Sequence, residues 1–423
     1  MTADLTAREA AALAAVDEAF VARTLLDLIA IPSVTGSAAE SEIQHRLAGL
    51  LDGLGLETDL WSMDLPALRA DPDFPGTETP REEAWGLVGG TGGEDGPTVV
   101  LQGHVDVVPP GDPAQWVGDP FVPRVVGDVV HGRGACDMKA GLAAHLAALA
   151  AIRASGARLR GRVAVHFVVG EEDGGLGAFG TLRRGYTGDA CLITEPTGGT
   201  MVTANAGALT FRIEVPGRAA HASTREAGAS AIDAYLPIHA ALARLESVRN
   251  TDPDPLMAEY PIPYALSVGT VRAGDWASSV PDRLVAEGRL GVRLGEDPAQ
   301  ARAALEECVA RACTADPWLR EHPAVVSWPG GLFASGRLPA GHPLRDLVRR
   351  AHADAVGGPE LRERGAPYGS DLRLYAAAGV PTLQFGPGDV RVAHSPREQV
   401  SVREAAEVAR TLVLAVLRSI GTD

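Results

Sequence analysis

Apolar and polar positions follow two different periods along the chain, and their alternation outlines the fold. Apolar residues recur with helical spacing over residues 7–31, where Pro32 ends the run, and again over about 38–54. Residues 62–97 are rich in proline, glycine and acidic residues, which predicts a long irregular loop. Short β-branched runs then alternate with helices, and this order is typical of an α/β sheet covered by helices on both faces.

The pattern changes after residue 205, where strands and helices follow in the order β-α-β-β-α-β. This order predicts a ferredoxin-like unit over residues 206–331. One of its helices begins at an Asp297 cap followed by Pro298 in the first helical position. We therefore expect this unit to be inserted into a larger domain formed by residues 1–205 and 332–423.

Composition narrows the class of protein. The 423 residues include 46% apolar and 22% charged residues, which indicates a folded globular protein long enough for two domains. The net charge of −16 disfavours nucleic acid or an anionic membrane as a partner. We recognise no signal peptide at the N-terminus and no uninterrupted apolar run of about 18 residues that would predict a membrane span. Four cysteines without a disulfide framework fit a cytoplasmic location.

The first chemical signal is Gly-His-Val-Asp at the end of a predicted strand over residues 98–103. Alternation along a strand places His104 and Asp106 on the same side. There the Asp106 carboxylate can accept one ring N–H of His104 and leave the other ring nitrogen for a metal. A simple His–Asp hydrogen bond at the mouth of a loop is the alternative.

Two further signals are acidic. Asp137 lies in Gly-Arg-Gly-Ala-Cys-Asp-Met-Lys-Ala-Gly, ahead of an apolar helix, so it either bridges two metal ions or caps the helix. Glu171, Glu172 and Asp173 directly follow a predicted strand at 162–169. Three consecutive carboxylates there are costly without a cation, unless the turn is simply solvated. Adjacent residues point in different directions, so Glu171 and Glu172 can have different functions.

Two weaker signals complete the set. Glu195 lies in Thr-Glu-Pro after a predicted strand, and His394 lies in Ala-His-Ser-Pro after Phe-Gly-Pro-Gly. All five segments lie at the carboxyl ends of predicted strands or in adjoining loops, where open α/β sheets bind ligands. Their combination indicates a metal site more strongly than any one of them does.

The order of these motifs resembles the acetylornithine deacetylase / succinyl-diaminopimelate desuccinylase / aminoacylase family of co-catalytic zinc hydrolases. The matching segments are Gly-His-x-Asp, Gly-x-Gly-x-x-Asp-x-Lys-x-Gly, Glu-Glu, Glu-Pro and a C-terminal Ala-His-Ser, and they extend over nearly the whole chain. The resemblance implies a zinc-peptidase-like α/β catalytic domain with an inserted lid and dimerisation domain, and therefore a homodimer.

The resemblance also implies a role for each ligand residue. His104 and Glu195 would bind one Zn²⁺, Glu172 and His394 would bind the other, and Asp137 would bridge both. Two ions, three carboxylates and a hydroxide sum to a neutral inner shell, which a buried site tolerates. Nitrogen and oxygen ligands also suit Co²⁺ or Mn²⁺. The bond that follows the bridging aspartate is expected to be a cis peptide.

Three more residues take part in the implied mechanism. Asp106 would support His104, and Glu171 would be the general base that takes a proton from the attacking water and passes it to the leaving nitrogen. His221, in Arg-Ala-Ala-His-Ala-Ser of the inserted domain, would stabilise the tetrahedral intermediate in the neighbouring subunit's site. A histidine at the surface of the lid is the alternative for His221.

The substrate is less sharply defined. Many family members carry an Asn and an Arg in the lid that bind a substrate carboxylate, but those positions fall at Ser279 and Gly291 here. The residues that we take as candidate substrate ligands are Arg225, Ser279, Arg289, Ser370 and Asp371. We expect hydrolysis of a small N-acetyl or N-formyl amino compound. A dipeptidase, carboxypeptidase or aminopeptidase is the alternative, and a non-catalytic metal-binding relative is disfavoured because Glu171 is present.

Overall fold

The computed structural model describes residues 5–93 and 95–422, and the chain divides into two compact units. Unit 2 comprises residues 204–336 and 365–373, and unit 1 comprises the rest. These bounds lie close to the predicted 206–331, but 365–373 was expected in the larger domain. The assignment of the two units as a catalytic domain and a lid stays a prediction.

Helices and strands alternate along the first half of the chain, as predicted for an α/β protein. In chain order they are α1 (Ala7–Ala14), α2 (Glu18–Ile29), α3 (Ala39–Gly53), β1 (Glu57–Ser62), α4 (Leu65–Ala70), β2 (Trp85–Gly92), β3 (Thr98–His104), β4 (Arg124–Val126), β5 (Val129–His131), α5 (Ala140–Ala154), β6 (Arg162–Val168), α6 (Leu176–Arg183), β7 (Ala190–Pro196) and β8 (Met201–Asn205).

The second half begins with the elements of unit 2 and then returns to unit 1. The elements are β9 (Gly207–Pro216), α7 (Ala231–Arg249), β10 (Leu266–Ala273), β11 (Arg283–Val292), α8 (Pro298–Ala315), α9 (Pro317–Glu321), β12 (Val325–Ser327), β13 (Leu332–Phe333), β14 (Gly336–Arg337), α10 (Leu344–Ala355), β15 (Glu363–Ala366), α11 (Leu372–Ala377), β16 (Thr382–Gly386), β17 (Gln399–Ser401) and α12 (Val402–Ile420).

The main sheet has the strand order β1-β2-β6-β3-β7-β16-β8-β14, and β15 pairs with β8. Its central strands β6, β3, β7 and β16 are parallel, whereas β1 and β2 pair antiparallel at one side. Parallel central strands end at the same edge of the sheet, so the segments that follow them come together there.

Helices cover both faces of this sheet. Adjacent residues of a strand point to opposite faces. Phe167 of β6 therefore stacks on His145 of α5, with ring centroids 6.2 Å apart, while His166 lies 2.8 Å from the hydroxyl of Tyr375 in α11 on the other face. The prediction of a mixed α/β sheet with helices on both faces is confirmed.

Helix α5 is the central core helix of unit 1. Its alanine and leucine side chains are nearly all buried, and it packs against α2 and α12. The segment Ala135–Ala154 is long and apolar enough to cross a membrane by length and composition, but 89% of its most apolar window is buried in the fold. That burial is what a core helix requires.

Unit 2 contains the predicted β-α-β-β-α-β order as β9, α7, β10, β11, α8 and β12. Its sheet has the order β10-β11-β9-β12, and β9 pairs antiparallel with both neighbours. The apolar residues of β9, such as Phe211 and Ile213, alternate with polar ones and form a core with α7 and α8. Asp297 caps α8 as predicted, accepting from Ala299 N at 2.8 Å.

Two predictions about the N-terminal region were wrong. Residues 7–31 form two helices, because Asp17 caps a new helix by accepting from Ala19 N. Residues 62–97 contain α4 and the sheet strand β2, not only loop. The strand β2 was not predicted because it is rich in glycine. Close packing explains these glycines, since a side chain at Gly86 would lie 2.1 Å from Trp61.

Candidate metal centre

Four of the predicted ligands lie at or after the carboxyl ends of the central strands of the main sheet. His104 ends β3, Glu195 lies in β7, and Glu172 follows β6. His104 pairs with Val168, the last residue of β6, so the β3 and β6 ends are level. The loop after β16 carries His394. The arrangement expected from strand order is therefore present within unit 1.

Asp137 lies between the two histidines. Its Oδ1 is 3.1 Å from Nε2 of His104, and its Oδ2 is 3.2 Å from Nε2 of His394. Glu195 Oε1 is 3.7 Å from the His104 nitrogen, and Glu172 Oε1 is 3.0 Å from the His394 nitrogen. Two ligands about 2.0–2.1 Å from one tetrahedral ion are about 3.3 Å apart, so these residues fit a metal pair bridged by Asp137.

The backbone around Asp137 is irregular in a way that presents its carboxylate. Residues Ala135–Lys139 form a π-helical turn, and Asp137 and Met138 have non-helical dihedral angles within it. The Asp137–Met138 peptide bond is cis, as the resemblance predicted. The alternative of a simple helix cap is not what the geometry shows, because the side chain faces two imidazoles.

His394 has a left-handed backbone conformation. Its φ of 57° makes it the one non-glycine residue with positive φ in the described part of the chain. Left-handed geometry costs an ordinary residue about 1–2 kcal/mol, so the surrounding loop has to hold it in place. The conformation directs Nε2 to Asp137 and Glu172, although 51% of the side chain is exposed.

Asp106 supports the site differently from the prediction. Nδ1 of His104 lies 2.9 Å from the backbone carbonyl of Asp106, whereas the nearest carboxylate oxygen is 3.7 Å away. The carboxylate instead accepts the backbone N–H groups of Glu171 and Glu172, at 3.1 and 3.2 Å, and the hydroxyl of Thr35. Its buried position therefore fixes the turn that carries both glutamates.

The two consecutive glutamates face different neighbours. Glu172 contacts His394 and forms a group with His104 and Asp137, whereas Glu171 forms a group with His104 and Glu195. Within each group of three residues the ligand atoms lie within 4.8 Å of one another. Glu171 is buried beside the metal-ligand cluster. The geometry thus separates the two side chains, and it leaves Glu171 close enough to exchange a proton with a group held there.

Negative charge dominates the centre. Burial lowers the pKa of His104, but the charge of Glu195 and a hydrogen bond to Asp137 outweigh it and raise that pKa well above its usual value. The pKa of His394 is raised to about 11, because hydrogen bonds to Asp137 and Glu172 overcome the effect of burial. Buried carboxylates in such excess are stabilised by cations.

Some supporting residues were not predicted from the sequence. Arg133 and Glu398 form a buried ion pair beside the Asp137 turn. Arg81 forms a second buried group with Glu40 and Asp173, at 3.0 and 3.2 Å. Arg133 lies inside a recognised motif, but its partner is far away in sequence, so no local pattern revealed the pair.

The candidate residues of the inserted region lie in unit 2. His221 and Ser279 form a β-bridge with each other, so the structure brings these two together. Nδ1 of His221 is 2.7 Å from the Ser223 hydroxyl. Arg225 is exposed and lies 3.5 Å from Asp233. Their proposed functions stay predictions.

The remaining candidates differ in accessibility. Arg289 is exposed on β11, opposite Thr210 of β9. Ser370 and Asp371 are buried in unit 2, so neither side chain lies at the surface in this conformation. A side chain at Gly291 would lie 2.9 Å from the backbone of Tyr264, so this position has no room for the arginine that the family resemblance led us to expect there.

Comparison with known proteins identifies relatives over almost the full chain. The chain is 27% identical to an N-formyl-4-amino-5-aminomethyl-2-methylpyrimidine deformylase of Halalkalibacterium halodurans, covering 91% of each chain. It is 30% identical to a succinyl-diaminopimelate desuccinylase of Alkalilimnicola ehrlichii, covering 75% of this chain and 83% of the relative. A tripeptidase structure from Staphylococcus aureus shares the fold, with a TM-score of 0.74, 21% identity and coverage of 96% and 99%.

The family model described as peptidase family M20/M25/M40 matches residues 100–418, well over half of the chain. The match includes every residue of the metal-ligand cluster, from His104 to His394. It agrees with the resemblance deduced from the motifs and with a hydrolase that acts on amide bonds. The chain therefore belongs to peptidase family M20/M25/M40.

Proposed function

We propose that this protein is a dizinc amidohydrolase. It removes a small acyl group, for which formyl is our first candidate, from the nitrogen of a small amino compound. The observation that carries this proposal is the placement of Asp137, whose two oxygens face two different histidines. A carboxylate that divides its oxygens in this way suits a shared metal pair. Co²⁺ or Mn²⁺ would fit the same ligands.

The chain's own residues supply positioning and proton transfer. When bound between these ligands, two divalent cations would polarise the scissile carbonyl and lower the pKa of a water molecule. Glu171 would take the proton of the attacking water and later donate it to the leaving nitrogen. Asp106 keeps Glu171 in place through the backbone N–H, so the base is held on a fixed turn.

The choice of a formyl or acetyl amide over a peptide follows from two observations. Two deformylases match this chain over 91% and 88% of its length, slightly more than the 75–85% over which three desuccinylases match it. Gly291, where the family resemblance leads us to expect an arginine that binds a substrate carboxylate, has no side chain and no room for one. A dipeptide or a succinyl-amino acid carries such a carboxylate, whereas an N-formylated amine does not need one. We therefore propose an uncharged acyl group on an amine as the substrate class.

A substrate panel tests this proposal. Metal-free protein reconstituted with Zn²⁺ or Co²⁺ is assayed with N-formyl aminopyrimidines, N-acetyl amines without a carboxylate, N-succinyl amino acids, and dipeptides. We expect the highest kcat/KM for the N-formyl or N-acetyl compounds. Preferential cleavage of dipeptides would establish the peptidase alternative, and metal binding without hydrolysis of any compound would establish the non-catalytic one.

The surface of unit 2 supports a proposed homodimer. Ile232 and Leu236 lie one helical turn apart on α7 and are 44% and 59% exposed, and Val271 on β10 is 50% exposed. Strand β10 is at the end of its sheet in the described structure. An exposed strand edge is normally blocked or paired, and two-fold pairing is the commonest arrangement. A second copy that pairs through β10 would cover these side chains.

We further propose that His221 acts in the active site of the partner subunit. Glu171→Gln and His221→Ala proteins should each be nearly inactive. In a mixture at equal amounts that exchanges subunits, about half of the dimers are mixed, and each has one intact site, so activity should recover to about a quarter of wild type. No recovery despite demonstrated exchange would place His221 in its own subunit's site or outside catalysis.

The cysteines support a proposed cytoplasmic location. Cys136, Cys191, Cys308 and Cys313 are buried, and none of them forms a disulfide in the described structure. Secreted and periplasmic proteins often use disulfides, whereas reducing compartments keep thiols free. Cell fractionation with an antibody against the chain tests this location.

A further inference from the structure

A buried carboxylate far along the chain holds the turn that presents Asp137. Glu398 Oε1 accepts the backbone N–H of Cys136 and the backbone N–H of Asp137, each at 3.2 Å. Its other oxygen, Oε2, accepts from Nη1 of Arg133, which lies just before the same turn. Both side chains of this ion pair are almost completely buried. One carboxylate therefore fixes two successive peptide N–H groups of the irregular turn.

The same residue belongs to the loop that carries His394. Glu398 lies four residues after His394, and its backbone N–H donates to Ser395 O at 3.2 Å. Its carbonyl accepts from Gly132 N at 3.3 Å, so the contact with the turn includes backbone as well as side chain. The strained, half-exposed His394 therefore lies on a short loop whose end is tied to the Asp137 turn.

These contacts matter because Asp137 and His394, which Glu398 connects, are assigned to the same metal ion. Asp137 Oδ2 and His394 Nε2 are 3.2 Å apart, and they come from segments about 260 residues apart in sequence. Loops alone would place such distant ligands loosely. Residues around a metal site that fix its ligands typically change metal affinity 10- to 100-fold when they are replaced.

We propose that Glu398 is a positioning residue, a clasp that joins the Asp137 turn to the His394 loop and thereby sets how tightly the metal pair binds. The proposal rests on the ligand set of the proposed function. It assigns the effect to the oxygen that accepts the two N–H groups. The competing explanation is that Glu398 only neutralises buried Arg133 and supports the fold.

Two double variants separate these explanations, because both remove the ion pair. In E398Q/R133M the amide oxygen still accepts the two N–H groups, whereas in E398M/R133M no acceptor remains. Neither variant leaves a buried charge without its partner. An unpaired buried charge would destabilise the fold whatever role Glu398 has in metal binding. Thermal unfolding of the metal-free proteins measures any difference in stability, and metal binding is then measured with CoCl₂ by equilibrium dialysis and visible absorption.

We expect E398M/R133M to bind at least one of two Co²⁺ ions 10- to 100-fold more weakly than E398Q/R133M, with a changed visible spectrum. Equal affinities and spectra in the two variants would overturn the clasp. Wild-type protein that binds fewer than two Co²⁺ would overturn both the clasp and the metal assignment. Hydrolysis is not measured, so a failure of the proposed substrate is distinguishable from these outcomes.

Two further variants serve as controls. Glu404→Gln changes a partly buried carboxylate of the C-terminal region, which accepts Gly388 N at 3.0 Å and has no described contact with the Asp137 turn. It should bind Co²⁺ as wild type does, and equal weakening there would contradict a specific effect of Glu398. If E398M/R133M does not fold, Glu398→Asp, which withdraws the carboxylate by one methylene, should weaken Co²⁺ binding, and wild-type affinity would overturn the proposal.

Discussion

Replacement of Glu171 by glutamine separates a proton-transfer role from a metal-binding role. The amide has the same shape as the carboxylate, and the backbone N–H of residue 171 keeps its bond to Asp106 Oδ1. The change removes the ability to hold a proton. General acid–base catalysis contributes about 10²- to 10⁴-fold. At 1.36 kcal/mol per tenfold, we expect the barrier to rise by about 2.7–5.4 kcal/mol.

The neighbouring residue provides a matched control. Glu172 follows on the same turn and also donates its N–H to Asp106, at 3.2 Å, but its carboxylate lies 3.0 Å from His394. Glu172→Gln should therefore lose metal, whereas Glu171→Gln should retain two ions per chain. Metal content by mass spectrometry and kcat on the best substrate of the panel measure both effects in the same preparations.

Two results would refute this reasoning. Turnover of Glu171→Gln close to wild type would show that another group carries the proton. Loss of metal in Glu171→Gln, as in the Glu172 variant, would make Glu171 a ligand, which is a real alternative because its oxygen lies within 4.8 Å of ligand atoms of His104 and Glu195. Retained metal with a large loss of kcat supports the base assignment.

Three other perturbations follow from the same structure. Asp137→Ala should hold well under two ions per chain and lose activity, because both metal positions share this carboxylate; metal analysis checks it. Binding of Zn²⁺ near neutral pH should release about two protons from the ligand histidines, besides any proton lost by metal-bound water. The pKa values of His104 and His394 are raised in the metal-free site, and metal needs the neutral rings; calorimetry in buffers of different ionisation enthalpy measures the release. Arg81→Met should lower the free energy of unfolding by about 3–5 kcal/mol, because it leaves two buried carboxylates uncompensated; urea unfolding tests it.

The sequence predicted the location of the site well because it depends on strand order. His104, Glu172 and Glu195 lie at or just after the carboxyl ends of strands that the β-branched runs make visible, and parallel strands end at one edge. That Glu171 and Glu172 have different neighbours could also be deduced, since adjacent side chains on a turn diverge, but their separate roles stay a prediction. Strand β2 could not be predicted, because its glycines are explained by close contacts with side chains such as Trp61. Such contacts leave no periodic pattern in the sequence.

The contacts that hold the ligands were harder to predict for a related reason. A carboxylate near a histidine in sequence suggested a side-chain hydrogen bond, but Asp106 gives His104 its backbone carbonyl and uses its carboxylate on another turn. Which of its oxygens reaches which donor depends on the exact path of two loops. Glu398 and Arg133 are a stronger case, since a buried pair separated by 265 residues has no local signature.

Asp106 and Glu398 act in the same way on two different turns of the centre. Each is a buried carboxylate without an assigned ligand role, and each accepts two successive backbone N–H groups of a turn that presents metal-site residues. Such bonds orient a ligand while leaving its carboxylate free for a cation. They also add negative charge to a site that already has an excess. Arg133 pairs with Glu398 and offsets its charge, so the excess that remains is the part that a metal pair can neutralise.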